Sequence, residues 1–222
     1  MTRVKICGIT NFDDAQASVI AGTDAIGFVF APSPRQLTPA EAATIRRLMP
    51  RSIAVFGVFV AEPAEEIAQV AQFCSLDFCQ VHGEITDVHY RLLGSQLIPA
   101  ISVEEMDPFE VAGSFRTAAI LLDAHHPDRT NPTGLPFDWK LARLTASRLN
   151  VILAGGLNPD NVTEAIDIVQ PYAVDVSGGV EVRPGKKDHD KIATFIQRIR
   201  TWDSRINAGI SVSSADDLFL KH

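Results

Sequence analysis

Eight short apolar runs, separated by segments of helical periodicity, limit this sequence to very few architectures. The runs are Val4–Cys7, Ala25–Phe30, Ile53–Val60, Phe78–Val81, Leu97–Ile101, Ala118–Leu122, Val151–Ala154 and Ala173–Val176. They are apolar on both sides instead of alternating, as expected of parallel strands covered on both faces. Between them, Ile67, Val70, Ala71 and Cys74 fall at i, i+3, i+4 and i+7, one face of a helix. Val162, Ala165, Ile166 and Val169 repeat that spacing, as do Ile192, Phe195, Ile196 and Ile199. Thr38-Pro39 and Asn158-Pro159 read as an N-cap followed by the proline that suits the first helical turn, and Asp138 offers a cap after Phe137. Val103–Phe115 is weakly helical, interrupted by Pro108 and Gly113.

An eightfold alternation of strand and helix leaves a closed barrel or an open doubly wound sheet. The count favours the barrel, as does the lack of a Gly-x-Gly-x-x-Gly turn after the first strand. At 222 residues the chain exceeds the ~150 of an average domain, and single α/β barrels commonly run past ~200. The expected fold class is therefore α/β, a single (βα)8 TIM barrel over residues 1–205, with residues 206–222 as a C-terminal tail of unassigned order.

Several classes are excluded. The longest near-continuous apolar stretch, Ile53–Ala61, is far below the ~20 residues of a membrane helix. Met1-Thr2-Arg3-Val4-Lys5 leads into the first strand with no secretory h-region. Twenty basic against 27 acidic residues give a net charge of −7, and no Lys/Arg run forms a nucleic-acid patch. Cys7, Cys74 and Cys79 are spaced for neither a disulfide framework nor a zinc ribbon. A cytoplasmic protein is expected, without nucleic-acid or membrane partners.

In a barrel of this kind the site lies at the C-terminal ends of the strands. Two glycine pairs sit at the seventh and eighth exits: Gly155-Gly156, and Gly178-Gly179 after Ser177. Lacking Cβ atoms, such loops let backbone N–H groups approach a phosphate, and this is where barrels of the class bind one. Asp175 and Glu181 are anionic neighbours, better matched to sugar hydroxyls or basic side chains. Cys7 ends the first strand; by position alone it fits a buried small apolar residue as well as a reactive thiol. Asp123 follows Ile120-Leu121-Leu122, where desolvation favours an acid, or else it binds its own loop. Arg35 is either a carboxylate fork or a solvated surface arginine. His82 binds substrate or settles its loop. His125 and His126 lie in a long segment, 124–137, suited to a lid. They lack a third ligand, so no metal site is expected. Trp139 reads as helix core.

These residues resemble the phosphoribosylanthranilate isomerase family of tryptophan biosynthesis. The resemblance rests on Lys5-Ile6-Cys7-Gly8-Ile9-Thr10, Gly27-Phe28-Val29-Phe30, Ser33-Pro34-Arg35, Gln80-Val81-His82-Gly83 and Leu121-Leu122-Asp123. It continues through Thr133-Gly134, Phe137-Asp138-Trp139, Ala154-Gly155-Gly156-Leu157, Asp175-Val176-Ser177, Gly179-Val180-Glu181 and Pro184-Gly185 with Lys187-Asp188. It implies an Amadori rearrangement of N-(5-phosphoribosyl)anthranilate, with Asp123 as general acid and Cys7 as general base. Arg35 is implied to hold the anthranilate carboxylate, His82 and Asp175 to bind substrate, and the glycine loops with Ser177 to hold the phosphate. No metal or organic cofactor is implied, and the chain is expected as a monomer or homodimer. Two positions depart from the family pattern: Asn131-Pro132 stands where the family has two glycines, and Gly178 where it commonly has a second serine. Competing readings are the histidine-pathway aminoaldose isomerase, which uses an aspartate where Cys7 stands, and a non-catalytic phosphosugar-binding barrel.

Overall fold

The structure, a computed structural model, describes residues 1–102, 116–123 and 139–217. Its centre is a closed parallel barrel of eight strands in sequence order. These are β1 (Arg3–Cys7), β2 (Ala25–Val29), β3 (Ala54–Val60), β4 (Phe78–His82), β5 (Leu97–Ser102), β6 (Ile120–Asp123), β7 (Val151–Ala154) and β8 (Ala173–Val176). Closure is made by β1 on β8, with Lys5 opposite Asp175 and Val4 opposite Val174. All eight strands coincide with the apolar runs, because a strand covered on both faces is mostly apolar.

Six strands differ from the sequence-based bounds by one or two residues, and the differences in β4 and β6 bear on the site. β4 extends through His82, which pairs with Val60 and Ala100. β6 starts at Ile120 instead of Ala118 and reaches Asp123, which pairs with Ser102 and Ala154. Its start is delayed because the Asn150 amide donates to the Ala118 carbonyl and the Thr117 hydroxyl to the Ala119 carbonyl. His82 and Asp123 are thus strand residues, oriented by the ladder instead of by a loop.

Outward-facing residues such as Ile6, Phe28, Val81, Leu122 and Val174 pack against the helices. The helices are α1 (Phe12–Ala21), α2 (Pro39–Leu48), α3 (Ala64–Cys74), α4 (Asp87–Leu93), α5 (Trp139–Ala146), α6 (Val162–Val169) and α7 (His189–Asp217). The expected helix faces are the buried ones: Val162, Ala165, Ile166 and Val169 on α6, and Ile192, Phe195, Ile196 and Ile199 on α7. Each large side chain of this kind contributes about 1.5–3 kcal/mol on full burial. Trp139 is also buried in this core.

Thr38 caps α2 with a reciprocal bond to Glu41. Asn158 is not the helix cap expected of it: α6 begins at Val162 with Asn161 at the N-cap position, and the Asn158 carboxamide accepts from the Asp160 and Asn161 N–H groups of the turn before it. Helix α7 continues through Asp217, so the expected boundary at residue 205 falls within a helix. It is tied to the start of β1, where Asp203 accepts from the Thr2 N–H and Arg200 donates to the Thr2 carbonyl. No described helix is long and apolar enough to cross a membrane. A small hairpin, β9 (Glu181–Arg183) with β10 (Lys186–Lys187), follows β8 and is absent from the sequence reading. It is short and charged, with no apolar period to reveal it.

Candidate active site

A cavity of about 560 Å³ opens at the C-terminal ends of the strands. It is lined by Cys7 from β1, Arg35 from the segment after β2, Gln80 and His82 from β4, and Asp123 from β6. Gly155 and Gly156 follow β7, and Asp175, Ser177, Gly178 and Gly179 come from β8 and its exit. Every residue singled out from the sequence as a site residue therefore lines one cavity. His125, His126, Asp138 and the rest of the 124–137 segment lie outside the described residues, as do Asn131, Pro132 and Val103–Phe115.

Barrel closure places a polar layer at the floor of this cavity. Lys5, 2% exposed, donates to Asp175 Oδ2 at 2.8 Å and to Gln80 Oε1 at 3.0 Å. With its oxygen committed to Lys5, Gln80 turns its amide nitrogen to His82 Nε2, 2.8 Å away. His82 Nε2 is then the acceptor, so the neutral ring carries its proton on Nδ1. Burial lowers the His82 pKa, with Asp123 opposing, so the ring is neutral at pH 7. The other oxygen of Asp175, Oδ1, is buried without a hydrogen-bond partner among the described residues.

Cys7 is buried beside this layer. Burial pushes its thiol pKa up and Asp175 adds to the rise; Lys5 and, more weakly, Lys187 pull it down without cancelling it, so the net shift is upward. Cys74 and Cys79 are also free, but they belong to the apolar core between sheet and helices. Burial alone drives Cys79 to about 12.

The rim carries a second ion-paired assembly. Arg35 grips Glu181 through Nε at 2.8 Å and Nη2 at 2.6 Å. Oε1 of that carboxylate, which takes Arg35 Nε, also accepts from Lys187 Nζ at 2.9 Å, and Lys187 donates as well to the Ser177 carbonyl. Arg35 is thus an oriented group, three-quarters buried, instead of a solvated one. Gly8 makes room for it: φ is +72°, and a Cβ would stand 2.5 Å from Arg35 Cδ. The hairpin beneath is clipped to α1 by buried Asp14, which accepts from Lys186 Nζ, the Lys187 N–H and His189.

The glycine loops after β7 and β8 meet each other. A Cβ on Gly179 would lie 1.9 Å from the Leu157 carbonyl, so only glycine permits the contact. The result is a concave stretch of bare backbone. Gly178 and Gly179 open a short 3-10 turn, whose first N–H groups have no partner within the turn. Gly178 is not demanded by space, since a Cβ would meet Arg35 Nη2 at an ordinary 3.6 Å.

Sequence reasoning missed Lys5, Gln80 and Lys187 as parts of the site. The signal available was a polar residue at the inward position of an otherwise apolar strand, Lys5 between Val4 and Ile6 and Gln80 between Cys79 and Val81. It becomes readable once a strand's inward face is known.

Comparison with known proteins agrees with this fold. The family model for N-(5'phosphoribosyl)anthranilate (PRA) isomerase matches residues 4–198. An N-(5'-phosphoribosyl)anthranilate isomerase from Pelobacter propionicus is 46% identical over 198 residues, 89% of this chain and 95% of that protein. A crystal structure of phosphoribosyl anthranilate isomerase in complex with reduced 1-(o-carboxyphenylamino)-1-deoxyribulose 5-phosphate superposes with a TM-score of 0.80. The two are 42% identical over 90% of this chain and 100% of that one. A second structure, of monomers generated from the dimeric Thermotoga maritima isomerase, gives a TM-score of 0.78 at 41% identity. It covers 90% of this chain and 99% of that one.

Proposed function

The chain belongs to the N-(5'-phosphoribosyl)anthranilate isomerase family, and from that premise we propose how its own residues carry the reaction. The enzyme converts N-(5-phosphoribosyl)anthranilate to 1-(2-carboxyphenylamino)-1-deoxyribulose 5-phosphate, a step of tryptophan biosynthesis. Asp123 donates a proton to the ring oxygen as the furanose opens, leaving a protonated imine at C1. The imine acidifies C2, and Cys7 as thiolate removes the C2 proton to give an enaminol. That species tautomerises: C1 gains a proton, the C2 hydroxyl loses one, and the ketone forms with no net change in composition. Each positioned transfer contributes ~10²–10⁴ in rate.

The observation that carries this reading is that Cys7 and Asp123 line one cavity from strands three steps apart around the barrel. An acid and a base can therefore attend different atoms of one bound sugar. Arg35, held in its fork by Glu181, keeps guanidinium N–H groups for the anthranilate carboxylate. Asp175 Oδ1, lacking a donor among the described residues, accepts from a ribose hydroxyl, and neutral His82 binds the substrate beside it. Gly155, Gly156, Ser177, Gly178 and Gly179 hold the phosphate. The catalytic barrel takes up residues 1–205, from which α7 runs on as one helix to Asp217; the protein works in the cytoplasm as a monomer or homodimer, and nucleic acid is not a partner.

The test generates the substrate in situ and follows loss of its anthranilate-type fluorescence with the native chain, Cys7→Ala and Asp123→Ala. Rapid loss with the native chain and at least a hundredfold slower loss with each variant supports the assignment. A variant that keeps native turnover removes that residue from its role.

A further inference from the structure

Lys5 and Cys7 sit two residues apart on β1, so both side chains point into the barrel. Opposite Cys7 in the ladder stands Gly27. The point a Gly27 Cβ would occupy lies 2.9 Å from Cys7 Sγ, 3.2 Å from Lys5 Cε and 3.3 Å from Lys5 Nζ. Ammonium and sulfur therefore flank the space left by one missing methyl group, no more than about 6 Å apart. The lysine is pinned: Asp175 and Gln80 each accept one N–H, and Phe56 lies under Nζ at 5.1 Å. An ammonium has three N–H groups, so one remains for the sulfur. Lys5 does not line the open cavity, whereas Cys7, Gln80 and Asp175 do. It is placed to act on the thiol from below and not on the substrate.

We propose that Lys5 is a positioning residue for Cys7: its pinned ammonium faces the sulfur and offsets part of what burial costs the thiolate, and Asp175 is the counterion that keeps the lysine charged and in place. The proposal rests on the reading of Cys7 as the base. The charges facing Cys7 come from several elements. Lys5 lies on its own strand, Asp175 on β8, Lys187 on the hairpin and Arg35 on the segment after β2, the last two sharing Glu181. His82 on β4 and Asp123 on β6 line the far side of the cavity. Among these, Lys5 is the strongest group favouring the thiolate and Asp175 the group opposing it. Burial works against the charge on Lys5 itself, but Asp175 and Cys7 outweigh it and raise its pKa, so the ammonium persists wherever the enzyme works. The same lysine fixes the Gln80 amide and, through it, the His82 tautomer.

The test titrates the Cys7 thiolate by its ultraviolet absorbance in the full-length chain, each variant read against its own Cys7→Ala counterpart. Lys5→Met is expected to move the midpoint up by about one to two pH units. Asp175→Asn is expected to move it down by less than one, so general damage to the fold cannot mimic both signs. Should Lys5→Met alone fail to fold with an unpaired carboxylate inside the barrel, Lys5→Met/Asp175→Asn removes both charges together. Its midpoint is expected above the native one, because the lysine's pull on the thiol exceeds the aspartate's push. The acidic limb of the kcat/KM profile should move with the thiol in each active variant. An unchanged midpoint in folded Lys5→Met, or in the double variant, overturns the proposal. If instead Cys7→Ala keeps native turnover while the midpoint still moves, the base assignment fails and the Lys5–Cys7 coupling stands.

Discussion

Two buried ion-paired assemblies border the same cavity, one inside the barrel and one at its rim, and they are satisfied to different degrees. At the rim, Glu181 accepts from two nitrogens of Arg35, from Lys187 and from the Gly185 N–H. That carboxylate is saturated, and its work is to hold Arg35 at a fixed angle. Inside the barrel, Asp175 accepts from Lys5 on one oxygen only, and the other is left without a described partner. A buried acceptor without a donor costs about 1–3 kcal/mol, so a fold tolerates it only where something compensates. The difference teaches how to separate scaffold from chemistry here: the saturated assembly orients, and the unsaturated one keeps capacity for a bound molecule.

The comparison breaks hardest inside the barrel. Lys5→Ala strands a carboxylate in the interior, and urea denaturation should show a loss of about 3–5 kcal/mol. Lys5→Met/Asp175→Asn, which removes both charges, should lose much less. Equal losses would mean the interior pair is no more strained than ordinary packing.

At the rim, Glu181→Gln keeps the shape and removes the charge. A stability loss of about 2 kcal/mol is expected, with the kinetic effect falling more on KM than on kcat because Arg35 loses its fixed orientation. A drop confined to kcat would place Glu181 in the chemistry and erase the distinction drawn above.

The hairpin's clip gives a pH-dependent test. Burial works against the charge on Asp14, but bonds from Lys186, the Lys187 N–H, His189 and Asn11 outweigh it and lower its pKa from 3.8 to about 2. Its contribution, on the order of 2 kcal/mol, is complete above pH 3.8 and is lost as the pH falls through about 2. Asp14→Asn should flatten that part of the acid-denaturation curve. A slope identical to the native chain would assign the acid loss to other carboxylates.

The smallest effect is expected at Gly178. Gly178→Ser meets Arg35 only at van der Waals distance, so stability should stay within about 0.5 kcal/mol of native. Isothermal titration with inorganic phosphate should show a modest gain in affinity if the phosphate sits against this turn, and no change if it does not.

Much of this was legible in the chain. Strands covered on both faces are mostly apolar, and helices packed on them must carry an apolar stripe, so strand count, helix faces and barrel class follow from residue order. The exits of those strands also follow, which is why Cys7, Asp123 and the two glycine pairs could be named without coordinates. The series of motifs extending from Lys5-Ile6-Cys7-Gly8 carried the family.

Tertiary structure alone decided which charges meet. Lys5 and Asp175 are 170 positions apart and become neighbours only because β1 closes on β8. Gln80 joins them from across the ring. Arg35, Glu181 and Lys187 are joined by a hairpin too short and too polar to leave a periodic signature. Apolar patterning is written locally, because each residue must match the face on which it lies. The pairing of Lys5 with Asp175 and of Arg35 with Glu181 is set by the closed fold, and no short stretch of sequence contains both partners.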